Sequence, residues 1–156
     1  MFRQVGTALG VQERAEKILA QWKDAASLEW TDRKNPRRMA ALGVVQFAEA
    51  SAARAYLGLA IDLQRKQDEL LAGRVQESRC LSVRLPGCEE AVRQDKKVLL
   101  PGGGPTSVSM LFVRSGALVL QFTWHNVEPN QAWAEKVFTA ISTSLGGQQK
   151  SPSPGQ

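Results

Sequence analysis

Both cysteines of this 156-residue chain lie within nine residues, "CLSVRLPGC", from Cys80 to Cys88. Three chemistries compete for such a pair: a metal clip, a dithiol redox couple and a disulfide. Structural zinc takes about four ligands, with cysteines spaced two to four residues apart. Here seven residues intervene and His125 is the only histidine. Thioredoxin-type chemistry needs two cysteines separated by two residues at a helix start, where both sulfurs share one electropositive end. The stretch does flank a Pro86–Gly87 turn, which can bring two Cα atoms to the ~5.5–6 Å that a disulfide requires. Closing a loop of this length gains roughly 2.6 kcal/mol on the chain-entropy estimate. The expectation is a Cys80–Cys88 disulfide and an oxidising, extracytoplasmic compartment. The alternative is two free thiols in a cytoplasmic protein.

The remaining chemistry-bearing stretches each carry a plainer reading. "PGGGP", residues 101–105, is rich enough in glycine to cradle a phosphate, but a helix N-terminus must follow for backbone N–H groups to converge on the anion. A strand pattern follows instead, so a β–β loop is expected. Arg33, Lys34, Arg37 and Arg38 form a basic run offset only by Asp32, with Trp30 just before it. Such a run can contact the phosphates of nucleic acid or lipid, although specific nucleic-acid binding is the weaker reading beside a solvated linker. His125 follows Trp124 near Glu128 and has the make-up of a general base, but no motif sets a serine or cysteine nucleophile beside it. Trp124, His125 and Trp133 are the candidate ligand surface; core packing of Trp124 and Trp133 with Phe122 and Phe138 is the alternative. No catalytic residues, metal ligands or cofactor fingerprint are assigned, and the chain is expected not to be an enzyme.

Composition is that of a folded domain: 43 % hydrophobic, 22 % charged, with a net charge of +5. No stretch of about 18 apolar residues could span a membrane. The N-terminal "MFRQVGTALGVQERAEK" lacks the apolar core of a signal peptide. An extracytoplasmic domain would then be part of a longer or processed chain in which Met1 is not the natural start; otherwise the cysteines are reduced.

These residues must be positioned by a small set of elements. Val11, Ala15, Ile18, Leu19, Trp22 and Ala26 recur at spacings of three and four, predicting a helix from about Val11 to Leu28. "MAALGVVQF", Met39 to Phe47, reads as a buried strand, and a helix runs from an N-cap at Ser51 to about Leu71, stopped by Gly73. Leu81, Val83 and Leu85 alternate as a strand. "EEAVRQD" reads as a turn or short helical piece leading into "KKVLL". Val108, Met110 and Phe112, then Leu118, Leu120, Phe122 and Trp124, give a β-hairpin that turns at Arg114–Gly116. A final helix spans about Gln131 to Leu145, and the tail "QQKSPSPGQ" is expected to be disordered. The sum is an α+β fold with a mainly antiparallel sheet of four to five strands and two or three helices covering one face or its ends. Residues 1–30 form the N-terminal helix, 31–38 a basic linker, 39–146 the α+β domain and 147–156 the tail.

With these elements in place, "VSMLFVRSGALVLQFTW", "NVEPNQAWAEKVFTAISTSL" and the earlier "VVQFAEASAARAYL" resemble exported bacterial domains found in lipoproteins and as sensor ectodomains, with a PsbP-like α/β sandwich. The resemblance covers about Met39 to Leu145 and rests on patterning, so it carries over no catalytic residue. It implies a non-catalytic extracytoplasmic module for an unknown ligand or partner protein, with the concave face between the sheet and the "PGGGP" loop as the candidate surface. The rival is a cytosolic basic protein that binds nucleic acid or anionic lipid surfaces through residues 33–38.

Overall fold

A computed structural model describes residues 11–71 and 73–148. Six strands, β1 (Trp22–Thr31), β2 (Met39–Phe47), β3 (Val75–Ser82), β4 (Glu90–Leu99), β5 (Pro105–Ser115) and β6 (Leu118–His125), join in one sheet of order β1-β2-β6-β5-β4-β3. Every pairing is antiparallel. Three helices accompany it: α1 (Gln12–Leu19), α2 (Ala50–Leu70) and α3 (Gln131–Gln148). The fold is α+β, with more strands than the four to five expected. None of the helices is long and apolar enough, among the described residues, to cross a membrane.

The helices lie on both faces of the sheet, not on one. In β5, Met110 and Phe112 pack against Leu57 and Ala60 of α2. Their neighbours Leu111 and Val113 pack with Ala134 and Phe138 of α3. Successive side chains of a strand point to opposite faces, so α2 and α3 sandwich the sheet between them. Helix α1 joins the α2 face, where Ala15 and Ile18 meet Val45, Phe47, Tyr56 and Val119. Phe47, Phe112, Phe122 and Phe138 are each 1 % exposed or less, a burial that stabilises by ~1.5–3 kcal/mol per large apolar side chain.

The β5–β6 hairpin forms as its alternation requires, but it turns one residue later than expected. Ser115 pairs with Leu118, leaving Gly116–Ala117 as the two-residue loop. Gly116 has φ +54°, the geometry that a two-residue hairpin turn asks of its first residue. Arg114 belongs to β5, 3 % exposed, and its guanidinium pairs with Glu89 at 2.5 Å and Glu90 at 3.3 Å. Glu89 also accepts the Gly116 N–H. That bond, reinforced by Arg114, holds the Glu89 carboxyl below the usual range.

Further expectations change. The first helix ends at Leu19, and Trp22–Thr31 is strand β1, with all ten residues exposed and paired to β2. Residues 32–38 are accordingly the β1–β2 hairpin loop. "EEAVRQD" enters strand β4, whose Ala91, Gln94, Lys96 and Val98 are buried. The strand placed at Leu81–Leu85 lies earlier, at Val75–Ser82. Helix α2 begins at Ala50, one residue before the proposed cap, and the Ser51 hydroxyl donates to Glu49 instead. Helix α3 continues to Gln148, and the rest of the expected disordered tail lies outside the described residues.

Candidate functional site

The Cys80–Cys88 disulfide is not formed: both thiols are free. Pleating explains why. Cys80 stands opposite Gln94, which stands opposite Met110, and directly opposed residues share a face. Cys80 is therefore on the α2 side and exposed. Cys88 follows the Pro86–Gly87 turn, packs against the α3-side core and donates its S–H to the Leu85 carbonyl at 3.2 Å. The turn folds Cys88 back over one face while Cys80 belongs to the other.

The candidate aromatic surface is likewise divided. Trp124 is 4 % exposed and stacks on Phe122 with ring centroids 5.9 Å apart. Trp133 is half-buried, edge-on to Phe122 and to Trp30, each at 5.6 Å. This series of rings seats the start of α3 on β6 and β1. His125 stands opposite Met39 and Val108 on the α2 face, away from both tryptophans. Burial pushes its imidazole below the ordinary range; Glu29 opposes that shift and Lys96 adds to it. Among the described residues no three His, Cys, Asp or Glu side chains come together to hold a metal ion.

The basic run forms a structured loop. The Asp32 carboxylate accepts the backbone N–H groups of Lys34 and Asn35, and the Asn35 side chain accepts that of Arg37. Asn126, with φ +51°, donates its side-chain amide to the Arg37 carbonyl and accepts the Ser107 N–H. The Arg37 guanidinium also approaches Gly103. The 32–38 loop, the "PGGGP" loop and the β6–α3 connection thus meet at one end of the sheet. Arg38 reaches Asp32 at 3.5 Å, while among the described residues Arg33, Lys34 and Arg37 have no ion pair.

Beside this end lies a groove of 570 Å³ on the α3 face. It exists because α3 and the Leu85–Cys88 turn cover β6, the Leu111–Val113 part of β5 and the start of β4 at Ala91, leaving the β3–β4 side and Ser107 and Ser109 open. Its floor is two cross-strand rows: Arg79, Asp95 and Ser109, then Glu77, Lys97 and Ser107. Arg93 closes it on one side, bonded to Asp95 at 2.9 Å, and residues 126–129 form the opposite wall. Neighbouring rows thus present opposite signs at each position, with hydroxyls at the β5 end. The groove can hydrogen-bond a ligand carrying both charges; no residue of the "PGGGP" loop is among those that line it. Glu77, Arg79, Arg93, Asp95 and Lys97 were not singled out from the sequence. The only available signal was the charge alternation in "QESR" and "VRQDKK", which a solvated face also produces.

No family model and no curated protein matches the chain. Among solved structures it is similar to PA94, a Pseudomonas aeruginosa protein of unknown function, at 17 % identity over 86 % of this chain and 88 % of that one, with a TM-score of 0.40. It is also similar to the extracellular domain of PknH from Mycobacterium tuberculosis, at 14 % identity over 74 % of this chain and 61 % of that one, with a TM-score of 0.48. Both likenesses are distant, and neither a family nor a function is taken from them.

Proposed function

We propose that this chain is a non-catalytic binding module of the sensor-ectodomain kind, on a PsbP-like sandwich, and that its ligand sits in the β3–β4–β5 groove. The observation that carries the reading is the groove itself. Two rows of alternating charge, Arg79–Asp95–Ser109 and Glu77–Lys97–Ser107, are held at sheet spacing on the part of the α3 face that none of the described helices covers. The strands fix the spacing at which these side chains leave the backbone, which favours recognition. A ligand with both charges within one short segment, such as an extended peptide or its termini, complements such rows better than a plain anion does. The extracytoplasmic part of the proposal rests on the sequence resemblance alone, now that the two thiols are unbonded.

The test is calorimetric binding of short zwitterionic peptides to the wild-type chain and to Lys97→Glu and Arg79→Glu. Binding that falls at least about tenfold in both variants supports the groove. Binding unaffected by either change removes it. The second reading, an anionic surface contacted by the 32–38 loop, is favoured by Arg33, Lys34 and Arg37, three cations with no ion pair among the described residues. It requires sedimentation with anionic vesicles that weakens steeply with salt.

A further inference from the structure

Among the described residues strand β1 is an open edge of the sheet: it pairs only with β2, and all ten of its residues are exposed. Such an edge offers a row of unsatisfied backbone N–H and C=O groups as a template for another strand. Natural edges are usually blunted, and this one is blunted only near its start, by the bulge at Lys23. From Asp24 to Thr31 the register with β2 is unbroken. The strand also carries exposed Leu28 and Trp30 on the α3 face, at 59 % and 45 %.

We propose that β1 pairs antiparallel with β1 of a second copy about a twofold axis through Ala26, extending the sheet across the dimer. Directly opposed residues in a sheet must share a face, which excludes every register that matches odd positions with even ones. Of the registers left, only the one centred on Ala26 brings Lys23, the bulged residue at the end of the regular ladder, to Glu29 of the second copy, and it does so twice by symmetry. It also sets Leu28 of each copy opposite Asp24 of the other. Asp24 lines a groove of 370 Å³ on the α3 face, together with Ala26, Val44, Gln46, Ile141 and Leu145. Each exposed leucine therefore arrives at the rim of the other copy's largely apolar groove. The two small residues Ala25 and Ser27 meet on the α2 face. Backbone pairing allows this register, the Lys23–Glu29 charge match singles it out and the Leu28 contact fits it, so the occupant proposed is this chain itself.

Sedimentation equilibrium of the full chain from about 1 to about 200 µM tests the proposal. The wild type is expected to dimerise within that range. Glu29→Lys, and separately Lys23→Glu, should each weaken the dimer by about tenfold or more, because each places like charges opposite one another twice. The double exchange K23E/E29K should restore the wild-type constant. All three variants alter exposed residues, and their circular dichroism should match the wild type. A wild-type chain that stays monomeric at the highest concentration overturns the proposal, including when a different protein's strand occupies the edge. So does a dimer that neither single reversal weakens, or one that the double exchange fails to restore.

Discussion

The ion pair between Lys96 and Asp68 joins the C-terminal half of α2 to the middle of β4, and its removal is the most informative perturbation of the core. The Lys96 ammonium lies 2.7 Å from an Asp68 oxygen and 2.9 Å from the Gln64 side-chain oxygen. The other Asp68 oxygen accepts from Ser78 at 3.2 Å and Gln94 at 3.4 Å. The side chains are 7 % and 15 % exposed, so each charge depends on the other. Removing one partner from a buried pair costs about 3–5 kcal/mol. Residual access of water to Asp68, the Gln64 bond left to Lys96 and the better helix propensity of alanine lower this, giving about 2–3 kcal/mol for Asp68→Ala. Lys96→Met should cost less, about 1 kcal/mol, because Ser78 and Gln94 still serve the carboxylate that remains. The double variant D68A/K96M removes both charges and should lie within about 1 kcal/mol of wild type. Urea unfolding of the four proteins at pH 7, read by circular dichroism, gives the cycle. Additive single effects, or an Asp68→Ala cost below about 0.5 kcal/mol, would refute the claim that this pair is desolvated.

The remaining predictions concern protons and thiols. Burial raises the Tyr56 hydroxyl to about 12, against about 10 in the unfolded chain. Its contribution to stability is therefore intact below pH 10 and is lost as pH rises through 12; absorbance at about 295 nm should report phenolate formation together with unfolding, and ionisation at an ordinary pKa without unfolding would contradict it. His125 is shifted the other way, so the folded chain binds fewer protons than the unfolded one below about pH 6.5. Its contribution is present above that pH and lost as pH falls, and His125→Gln should make the stability profile between about pH 7 and 5 shallower. In native protein Cys80 should alkylate quickly and Cys88 slowly, with an intact mass corresponding to two thiols. A mass lower by two hydrogens would restore the disulfide.

The elements that could be read from the sequence are those whose burial leaves a period. The β5–β6 hairpin declared itself through alternation, yet the same residues held a second message. Met110, Leu111, Phe112 and Val113 are all buried, and a strand apolar on both sides must be covered on both sides. Reading that run by alternate positions alone led to helices on one face. Strand β1 was hidden for the opposite reason: "WKDAASLEWT" buries nothing, so it shows no strand period, and its alanines and Leu28 extend the spacing of α1. Only the pairing with β2 makes it a strand. In β4, Gln94 and Lys96 are core residues because Gln64 and Asp68 of α2 wait for them about thirty residues upstream, a fact that no local pattern carries. The groove was illegible for the same reason: Arg79 and Asp95, or Glu77 and Lys97, are neighbours only once the β3–β4 register is set. The cysteine pair misled because closeness along the chain says nothing about which face of a sheet each residue takes.

The most direct test of the binding reading is amide chemical-shift mapping of the labelled chain with short zwitterionic peptides. The account predicts shifts concentrated at residues 77–79, 93–97, 107–109 and 126–129, abolished by Lys97→Glu. Shifts confined to residues 32–38, or none at peptide concentrations of about 1 mM, would contradict it.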